Sequence, residues 1–202
     1  MRIVVDRNMP CVLEAFGQFG DVIALDTPEI TPAVVRDADV LIVRSETRVD
    51  RNLLGGSRVR FAGTTTTGTD HVDLEYVRSR GIGFASAPGS NANSVAEYMI
   101  AGLFLLGRKF GFRLRGTTLG VVGVGNIGSR VVRIAEALGM RVLQNDPPRA
   151  RSTDVSPFVP LDDLIRADIV TLHVPLTRQG EDATYHLFDA NRIGRMKRGA
   201  IL

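Results

Sequence analysis

The stretch that most constrains the fold lies at residues 118–146 and reads TLGVVGVGNIGSRVVRIAEALGMRVLQND. It begins with a short apolar run rich in valine, which is typical of a buried strand. The pattern G-x-G-x-x-G follows at Gly123, Gly125 and Gly128. Apolar residues then recur at helical spacing, and a second apolar run ends at Asp146. The stretch therefore predicts a strand, a glycine turn, a helix and a second strand.

In this context the three glycines have separate physical roles. Gly123 permits a tight turn, Gly125 lets the backbone approach a pyrophosphate, and Gly128 lets the helix pack close to the strand. The start of the helix presents free N–H groups to an anion. Asp146 follows Gly128 by roughly the 20 residues at which an acid that binds the adenosine ribose 2′-hydroxyl is expected. We therefore predict a dinucleotide site, the simpler alternative being a tight turn with a structural role only.

The charges at the end of the second strand bear on which dinucleotide binds. The carboxylate of Asp146 repels a 2′-phosphate, so the sequence favours NAD over NADP. Arg149 follows shortly after and keeps NADP open as an alternative, because an arginine near this place accommodates a 2′-phosphate in other proteins.

Before this stretch, short apolar runs alternate with segments of helical spacing, which predicts parallel α/β structure. Two loops follow predicted strands: residues 44–47 after the strand at 39–43, and residues 63–73 after the strand at 59–62. Ligands bind at the carboxyl ends of strands in open α/β sheets, so both loops are candidate sites by position. The second loop reads GTTTTGTDHVD, whose hydroxyls and N–H groups suit a carboxylate or phosphate. An ordinary polar loop is equally compatible with that composition.

A change in composition divides the chain. Residues 88–93, PGSNAN, are typical of a linker or hinge. With 202 residues and 44% apolar content, the chain can form two small domains, which we place at residues 1–93 and 94–202. The helix predicted at residues 94–109 is apolar nearly all round between residues 98 and 106, so we expect it to be buried.

Composition argues against several other classes of protein. The single cysteine, Cys11, rules out an internal disulfide framework and suits a reducing compartment, so the expected location is the cytoplasm. The longest apolar run is far shorter than the roughly 20 residues that cross a bilayer, which argues against a membrane protein. The net charge of +3 comes from scattered arginines without a recognition motif, which argues against a nucleic-acid partner. No spacing of cysteines and histidines matches a metal site.

Several strings together give the chain a family resemblance. PGSNANSVAEY, VVGVGNIG, HVPLT and MKRGAIL occur in an order that resembles the D-isomer-specific 2-hydroxyacid dehydrogenases. Within that family, VRSETRVDRNLLGGSRVRFAGTTTTGTDHVD and NDPPRA are similar to members that act on 4-phospho-D-erythronate. The resemblance runs from Met1 to Leu202. It implies an α/β fold in which a flavodoxin-like substrate domain is followed by a Rossmann-type nucleotide-binding domain that is truncated at its C-terminal end.

The activity that the resemblance implies is an NAD-dependent oxidation of 4-phospho-D-erythronate to its 2-oxo acid, in pyridoxal 5′-phosphate (vitamin B6) biosynthesis. An enzyme for another 2-hydroxy acid, such as a phosphoglycerate dehydrogenase, is the alternative. By the same resemblance, Ser45 and Thr66 match substrate-binding positions. The matching cofactor positions are Gly123, Gly125, Asn126, Ile127, Gly128, Asp146 and Val174. Relatives commonly pair as homodimers, so a second copy of the chain is the expected protein partner.

The catalytic residues that the resemblance implies lie outside this chain. In the family, an arginine that binds the substrate carboxylate and a glutamate–histidine acid/base pair follow the segment that MKRGAIL resembles, so we expect no catalytic residue within residues 1–202. We expect His71, His173 and His186 to be structural or surface histidines. The sequence stops within an apolar run, GAIL, so we expect the first portion of a working dehydrogenase. The alternative is a product that binds nucleotide without catalysis.

Overall fold

The computed structural model describes residues 1–152 and 157–202. It divides into two compact units, Met1–Ser90 and Asn91–Leu202. The predicted domain boundary at Asn93 lies slightly later in the chain, inside the first helix of the second unit. Each unit has its own parallel sheet and its own hydrophobic core.

The first unit alternates strands and helices along the chain. Its elements are β1 (Arg2–Asp6), α1 (Val12–Phe16), β2 (Asp21–Leu25), a 3₁₀ turn (Thr27–Glu29), α2 (Pro32–Val35), β3 (Val40–Val43), α3 (Arg51–Leu54), β4 (Phe61–Thr64), α4 (Leu74–Ser79) and β5 (Gly83–Ser86). The strands are parallel and lie in the order β2-β1-β3-β4-β5. This is the strand order of flavodoxin-like sheets, so the predicted fold class of this unit is confirmed.

Two loops at the carboxyl edge of this sheet end at capped helices. Asp50 begins α3 by accepting hydrogen bonds from the N–H groups of Asn52 and Leu53. Asp73 begins α4 by accepting a hydrogen bond from the N–H of Tyr76. Before α4, the strand predicted at residues 59–62 is shifted, because β4 continues to Thr64 through backbone pairing with both neighbouring strands, which needs no apolar side chain. The two caps fix where the loops end, and the later end of β4 fixes where the second loop begins.

The second unit begins with a long helix and continues as strand–helix units. Its elements are α5 (Ala92–Phe110), β6 (Thr118–Val122), α6 (Gly128–Ala137), β7 (Arg141–Asn145), α7 (Pro147–Ala150), α8 (Leu161–Leu164), β8 (Ile169–Leu172) and α9 (Ala190–Arg195). The predicted strand, glycine turn, helix and strand are confirmed as β6, the turn before α6, α6 and β7.

The sheet of the second unit has the strand order of a Rossmann fold. Parallel strands lie in the order β7-β6-β8. Phe158 forms a single parallel bridge to Gln144 of β7, and Ile201 forms one to Ile169 of β8. Numbered along this unit, the extended segments therefore lie in the order 3-2-1-4-5. Successive strands are added on one side of β6 as far as Phe158 and then on its other side from β8 onward. Such a reversal of the strand order opens a crevice at the carboxyl ends of the strands.

The long helix α5 contradicts one prediction. Ala96 and Ile100 are buried in the core of the second unit, with α6 packed alongside. Tyr98 and Leu105, in contrast, are 82% and 67% exposed. The expectation of a helix buried all round is therefore wrong. An apolar pattern on every face reports which side chains could be buried, while the neighbouring elements decide which are.

Both sheets are covered on two faces. In β3, Leu41 belongs to one apolar cluster and Ile42 to another, and in β6 the same holds for Val121 and Val122. Alternate side chains of one strand thus enter different cores, as expected for parallel sheets. Across the described parts of the chain, no helix combines the length and the apolar character needed to span a membrane.

Candidate functional site

The glycine turn between β6 and α6 forms one wall of a candidate site. Gly123 has a φ of 82°, and a Cβ there would lie 2.7 Å from the carbonyl oxygen of His173. A Cβ on Gly128 would lie 2.0 Å from the carbonyl oxygen of Gly123. Around Gly125, no atom of the described residues lies within 4 Å of such a Cβ. The backbone itself thus requires glycine at positions 123 and 128, whereas Gly125 borders open space.

Asp146 is held against this turn by backbone groups. The N–H of Gly123 donates to the carbonyl oxygen of Asn145 over 2.8 Å, which continues the pairing of β6 with β7. The N–H of Val124 donates to Oδ2 of Asp146 over 2.8 Å. The other carboxylate oxygen accepts from the N–H of Arg149 over 3.2 Å and caps α7. The carboxylate is therefore fixed at the end of β7, with acceptor capacity left on both oxygens.

Two further side chains support this corner in ways that the sequence did not indicate. Asn145 is 5% exposed, and its amide donates to the carbonyl oxygen of Val159 over 2.8 Å. The guanidinium of Arg149 donates to the carbonyl oxygen of Val124, so this side chain spans from α7 to the glycine turn. No local pattern marks either role, because that of Asn145 depends on Phe158 pairing with β7 and that of Arg149 on β7 lying beside β6.

A pocket of about 460 Å³ opens beside the turn. Its volume lies within the roughly 300–1,000 Å³ that is usual for small-molecule sites. Of the predicted cofactor positions, Gly123, Gly125, Asp146 and Val174 line it. The structure therefore brings together four of the seven positions at one cavity.

The other three positions, Asn126, Ile127 and Gly128, do not line this pocket. They lead into α6, where Asn126 is exposed and Gly128 is buried. The side chain of Ile127 packs against the core of the second unit. The start of α6 presents backbone N–H groups, which are the usual donors to an anion at a helix N-terminus.

The segment that follows β8 supplies an apolar wall of the pocket. The N–H of His173 donates to the carbonyl oxygen of Val122 over 2.7 Å, and Val174 then lies against Gly123. Nε2 of His173 lies 3.1 Å from the hydroxyl oxygen of Thr171. Burial lowers the pKa of His173, so its imidazole is neutral at pH 7. Its ring is thus hydrogen-bonded to the preceding strand, β8, and His173 also lines the pocket.

Residues 175–187 complete the pocket as a loop held by two threonines. The N–H of Thr177 donates to the hydroxyl of Thr184 over 2.8 Å, and the N–H of Thr184 donates back to the carbonyl oxygen of Thr177 over 3.0 Å. Arg151, beyond α7, forms an ion pair with Asp182 in this loop. The loop is therefore closed on itself and fastened to the segment after α7.

His186 belongs to the same loop and lines the pocket. Its φ is 55°, and its ring stacks on that of Tyr185 with the centroids 4.0 Å apart.

Within residues 1–152 and 157–202, no three histidine, cysteine, aspartate or glutamate side chains lie close enough together to hold a metal ion.

In the first unit, the predicted substrate positions Ser45 and Thr66 lie at the carboxyl edge of the sheet. β3 and β4 pair so that Val43 is opposite Thr64, and each predicted residue follows two positions later. The N–H of Thr65 donates to the carbonyl oxygen of Val43 over 3.1 Å, which extends the pairing beyond β4. Ser45 is exposed and Thr66 is half-buried. Both residues therefore follow the ends of neighbouring strands, where ligands of such sheets bind.

Thr66 is tied to a partly buried chain of side chains. Its hydroxyl oxygen lies 2.8 Å from that of Thr64, which in turn lies 3.1 Å from Nε2 of His71. Thr64 is only 4% exposed. Burial lowers the pKa of His71, against the opposing effect of the Asp70 carboxylate, so the imidazole is neutral near pH 7. The sequence does not distinguish the threonines of this loop. In the structure Thr64 is buried and links Thr66 to His71, whereas the other threonines are more exposed.

A fully buried carboxylate lies beside the loop that follows β3. Oδ2 of Asp6 lies 3.3 Å from Nε of Arg44 and accepts from the hydroxyl of Thr27 over 2.8 Å. Arg44 also pairs with Glu46 over 2.7 Å. Burial, the largest effect, raises the pKa of Asp6, but hydrogen bonds from Asn8 and Thr27 and the charge of Arg44 together hold the pKa below its ordinary value. The sequence did not indicate this cluster, because its members come from separate strands and loops.

Comparisons with known proteins agree with this geometry. Residues 91–202 match the family model described as D-isomer specific 2-hydroxyacid dehydrogenase, NAD binding domain. The erythronate-4-phosphate dehydrogenase of Chromohalobacter salexigens is 53% identical to the chain over 203 residues, and that of Salinibacter ruber is 52% identical over 207 residues. Each alignment covers 100% of this chain and 53% of the relative. The chain thus spans about half the length of the curated relatives it matches.

Solved structures resemble the chain over its whole length. The TT0316 protein from Thermus thermophilus has a TM-score of 0.84 at 30% identity, covering 100% of this chain and 72% of that one. The NAD⁺-bound 3-phosphoglycerate dehydrogenase of Entamoeba histolytica has a TM-score of 0.81 at 27% identity, covering 100% and 70%. The second unit therefore shares its fold and its family's NAD-binding character with a protein solved with the cofactor bound.

Proposed function

The chain belongs to the D-isomer specific 2-hydroxyacid dehydrogenase family, and from this premise we propose that it oxidises 4-phospho-D-erythronate with NAD as the hydride acceptor. The 2-hydroxyl of the acid becomes a 2-oxo group, in a step of pyridoxal 5′-phosphate biosynthesis. The observation that carries this substrate is the 53% identity, over the whole chain, to a protein named erythronate-4-phosphate dehydrogenase. Oxidation of 3-phosphoglycerate is the second candidate, since a 3-phosphoglycerate dehydrogenase shares the fold.

In this proposal NAD occupies the pocket of the second unit. Its pyrophosphate lies over Gly125, where open space borders the start of α6. There it accepts hydrogen bonds from the backbone N–H groups of Asn126 and Ile127. The carboxylate of Asp146 accepts from the ribose 2′-hydroxyl, using acceptor capacity that its two backbone donors leave open. Val174 contributes an apolar wall. Gly123 and Gly128 shape the turn and have no side chain that could contact the cofactor.

The phosphorylated acid contacts Ser45 and Thr66 in the first unit. Both residues follow the ends of paired strands, and hydroxyl groups there can donate to a carboxylate or phosphate oxygen. The exposure of Ser45 and the half-burial of Thr66 are compatible with such contacts.

We assign proton transfer and the binding of the substrate carboxylate to residues outside 1–202. This assignment is carried over from the family resemblance, in which an arginine, a glutamate and a histidine follow the segment that MKRGAIL resembles. Residues 1–202 alone would then bind nucleotide without turning over substrate.

The test of the activity uses the polypeptide that the complete reading frame encodes. NADH formation is followed by absorbance with 4-phospho-D-erythronate and, separately, with 3-phospho-D-glycerate. We expect turnover of the first acid and little or none of the second. Preference for 3-phospho-D-glycerate would replace the substrate and leave the family intact, whereas failure to bind NAD at all would refute the dehydrogenase proposal.

The intact mass of the natural polypeptide tests where the catalytic residues lie. A mass well above 21.9 kDa, the mass of these 202 residues, is expected. A mass of 21.9 kDa would remove the dehydrogenase proposal and leave a nucleotide-binding protein without catalysis.

We further propose that the protein pairs with a second copy of itself through α5. The support is the exposed apolar face of this helix, where Tyr98 and Leu105 lie two turns apart with most of their side-chain surface uncovered. Light scattering on Leu105→Glu should give a monomer where the parent protein gives a dimer. Leu13→Glu is the matched control, because Leu13 is 57% exposed in the first unit and should leave the dimer intact.

A further inference from the structure

We propose that His71 sets the direction of the hydrogen bonds that make Thr66 a donor to an anionic substrate. The inference rests on the proposed function, because it takes Thr66 as a substrate contact. His71 is a positioning residue in this scheme, since it acts on Thr66 through the hydroxyl of Thr64.

The argument starts from the hydroxyl of Thr64, which has one proton and two acceptor lone pairs. Its oxygen lies 2.8 Å from the hydroxyl of Thr66 and 3.1 Å from Nε2 of His71. It also accepts from the backbone N–H of Thr66 over 3.4 Å. That N–H takes one lone pair. The remaining lone pair and the proton are left for the other two partners, and only two arrangements satisfy both.

In the first arrangement, His71 carries its proton on Nε2 and donates it to the oxygen of Thr64. Thr64 must then donate its own proton to the hydroxyl oxygen of Thr66. Thr66 accepts from within the protein, and its own proton is available to a ligand. A hydroxyl proton is what a carboxylate or phosphate oxygen requires, and hydrogen bonds to such charged acceptors are the stronger ones.

In the second arrangement, His71 carries its proton on Nδ1, and Nε2 accepts from Thr64. Thr66 must then donate its proton inward and presents only lone pairs to a ligand, which repel an anion. Solvent is poorly placed to substitute for either partner of Thr64, because this residue is 4% exposed. The position of one proton on the His71 ring therefore decides whether Thr66 binds a phosphorylated acid or disfavours it.

The tautomer itself is the direct test. In the polypeptide of the complete reading frame, the ¹⁵N chemical shifts of the neutral imidazole distinguish a proton on Nε2 from one on Nδ1. The signals that disappear in His71→Gln identify the residue. We expect the Nε2–H tautomer. The Nδ1–H tautomer would overturn the inference, whether or not the protein turns over the acid.

Kinetics with 4-phospho-D-erythronate give the second test. His71→Leu should raise KM for the acid about tenfold, with kcat and KM for NAD unchanged, as expected when a uniform binding interaction is lost. His71→Gln, whose amide can still donate near the position of Nε2, should stay within about twofold of the parent protein. Thr31→Val removes a hydroxyl at the start of α2, outside both candidate loops, and it should leave KM unchanged.

A double variant separates this role from a purely structural one. Thr64→Val breaks the same chain, so combining it with His71→Leu should raise KM no further than either change alone. An unchanged KM in His71→Leu would overturn the inference, as would an equal rise in KM for acid and NAD. If the parent protein does not oxidise 4-phospho-D-erythronate, the proposed function fails, and the tautomer alone decides this inference.

Discussion

Alanine substitutions at two glycines of the turn distinguish a residue that contacts the ligand from one that is needed for folding. A Cβ on Gly125 would meet no atom of the described chain within 4 Å, and this glycine is not in the left-handed region of φ. Gly125→Ala should therefore fold normally. Because alanine restricts the unfolded chain, the free energy of unfolding should rise by about 0.4–1 kcal/mol.

The same methyl group should impair NAD binding. The open space at Gly125 is where we place the pyrophosphate, against the N–H groups at the start of α6. A Cβ there keeps the phosphates from approaching those donors. We expect the dissociation constant for NAD to rise at least about tenfold, which corresponds to about 1.4 kcal/mol.

Gly128→Ala is the matched control with the opposite outcome. Its Cβ would lie 2.0 Å from the carbonyl oxygen of Gly123 and 3.0 Å from the carbonyl carbon, and both are backbone atoms that cannot rotate away. Overpacking costs up to about 3 kcal/mol, and the better helix propensity of alanine returns about 1 kcal/mol. The free energy of unfolding should therefore fall by about 2 kcal/mol.

Urea unfolding measures the free energy of unfolding, and calorimetric titration measures the dissociation constant for NAD, on the same samples. The expected pattern is a stable Gly125→Ala protein that binds NAD weakly and a Gly128→Ala protein that is destabilised before any ligand is added. Undiminished NAD affinity in Gly125→Ala would refute the placement of the pyrophosphate. Destabilisation of both variants to the same extent would refute the assignment of open space at Gly125.

Three further changes test the rest of the site. Asp146→Ala should weaken NAD binding and relax the preference against NADP, and unchanged dissociation constants for both would contradict the ribose assignment. Arg149→Met should weaken both dinucleotides equally, because the guanidinium holds the glycine turn at Val124; a loss confined to NADP would mean that Arg149 reads a 2′-phosphate. Asp6→Asn should lower the free energy of unfolding at pH 7 by about 3 kcal/mol, the low end for a broken buried pair, because Arg44 keeps Glu46. Since the folded pKa of Asp6 is lowered, urea unfolding should show the full difference above about pH 4 and its loss as the pH falls through the folded pKa.

The part of the site that could be predicted from sequence is the part built from one contiguous segment. The glycine turn and Asp146 belong to β6, α6 and β7, whose order along the chain is also their order of packing. The spacing of the glycines and the acid therefore carries nearly all the information needed to place them. The hydrogen bond from Val124 to Asp146 follows from that local order.

The hydrogen-bonded chain at Thr64 was missed because the end of one strand was misplaced. With the strand ending at residue 62, the four threonines form one undifferentiated loop. In the structure β4 ends at Thr64, which is buried, whereas Thr65 is exposed and Thr66 is half-buried. Two residues of extra backbone pairing thus determine which hydroxyl reaches His71.

Three buried polar side chains share a position in the fold that explains how the loops are held. Asp6, Thr64 and Asn145 are each the last residue of a strand. Each of these side chains is buried, and an unsatisfied buried polar group costs about 1–3 kcal/mol. Its partners must come from adjoining loops: Arg44 for Asp6, His71 for Thr64, and a carbonyl oxygen beyond α7 for Asn145. Each strand end therefore fastens a loop of the sheet edge before a ligand arrives. At two of these ends a residue proposed to contact a ligand follows closely: Thr66 comes two positions after Thr64, and Asp146 directly follows Asn145.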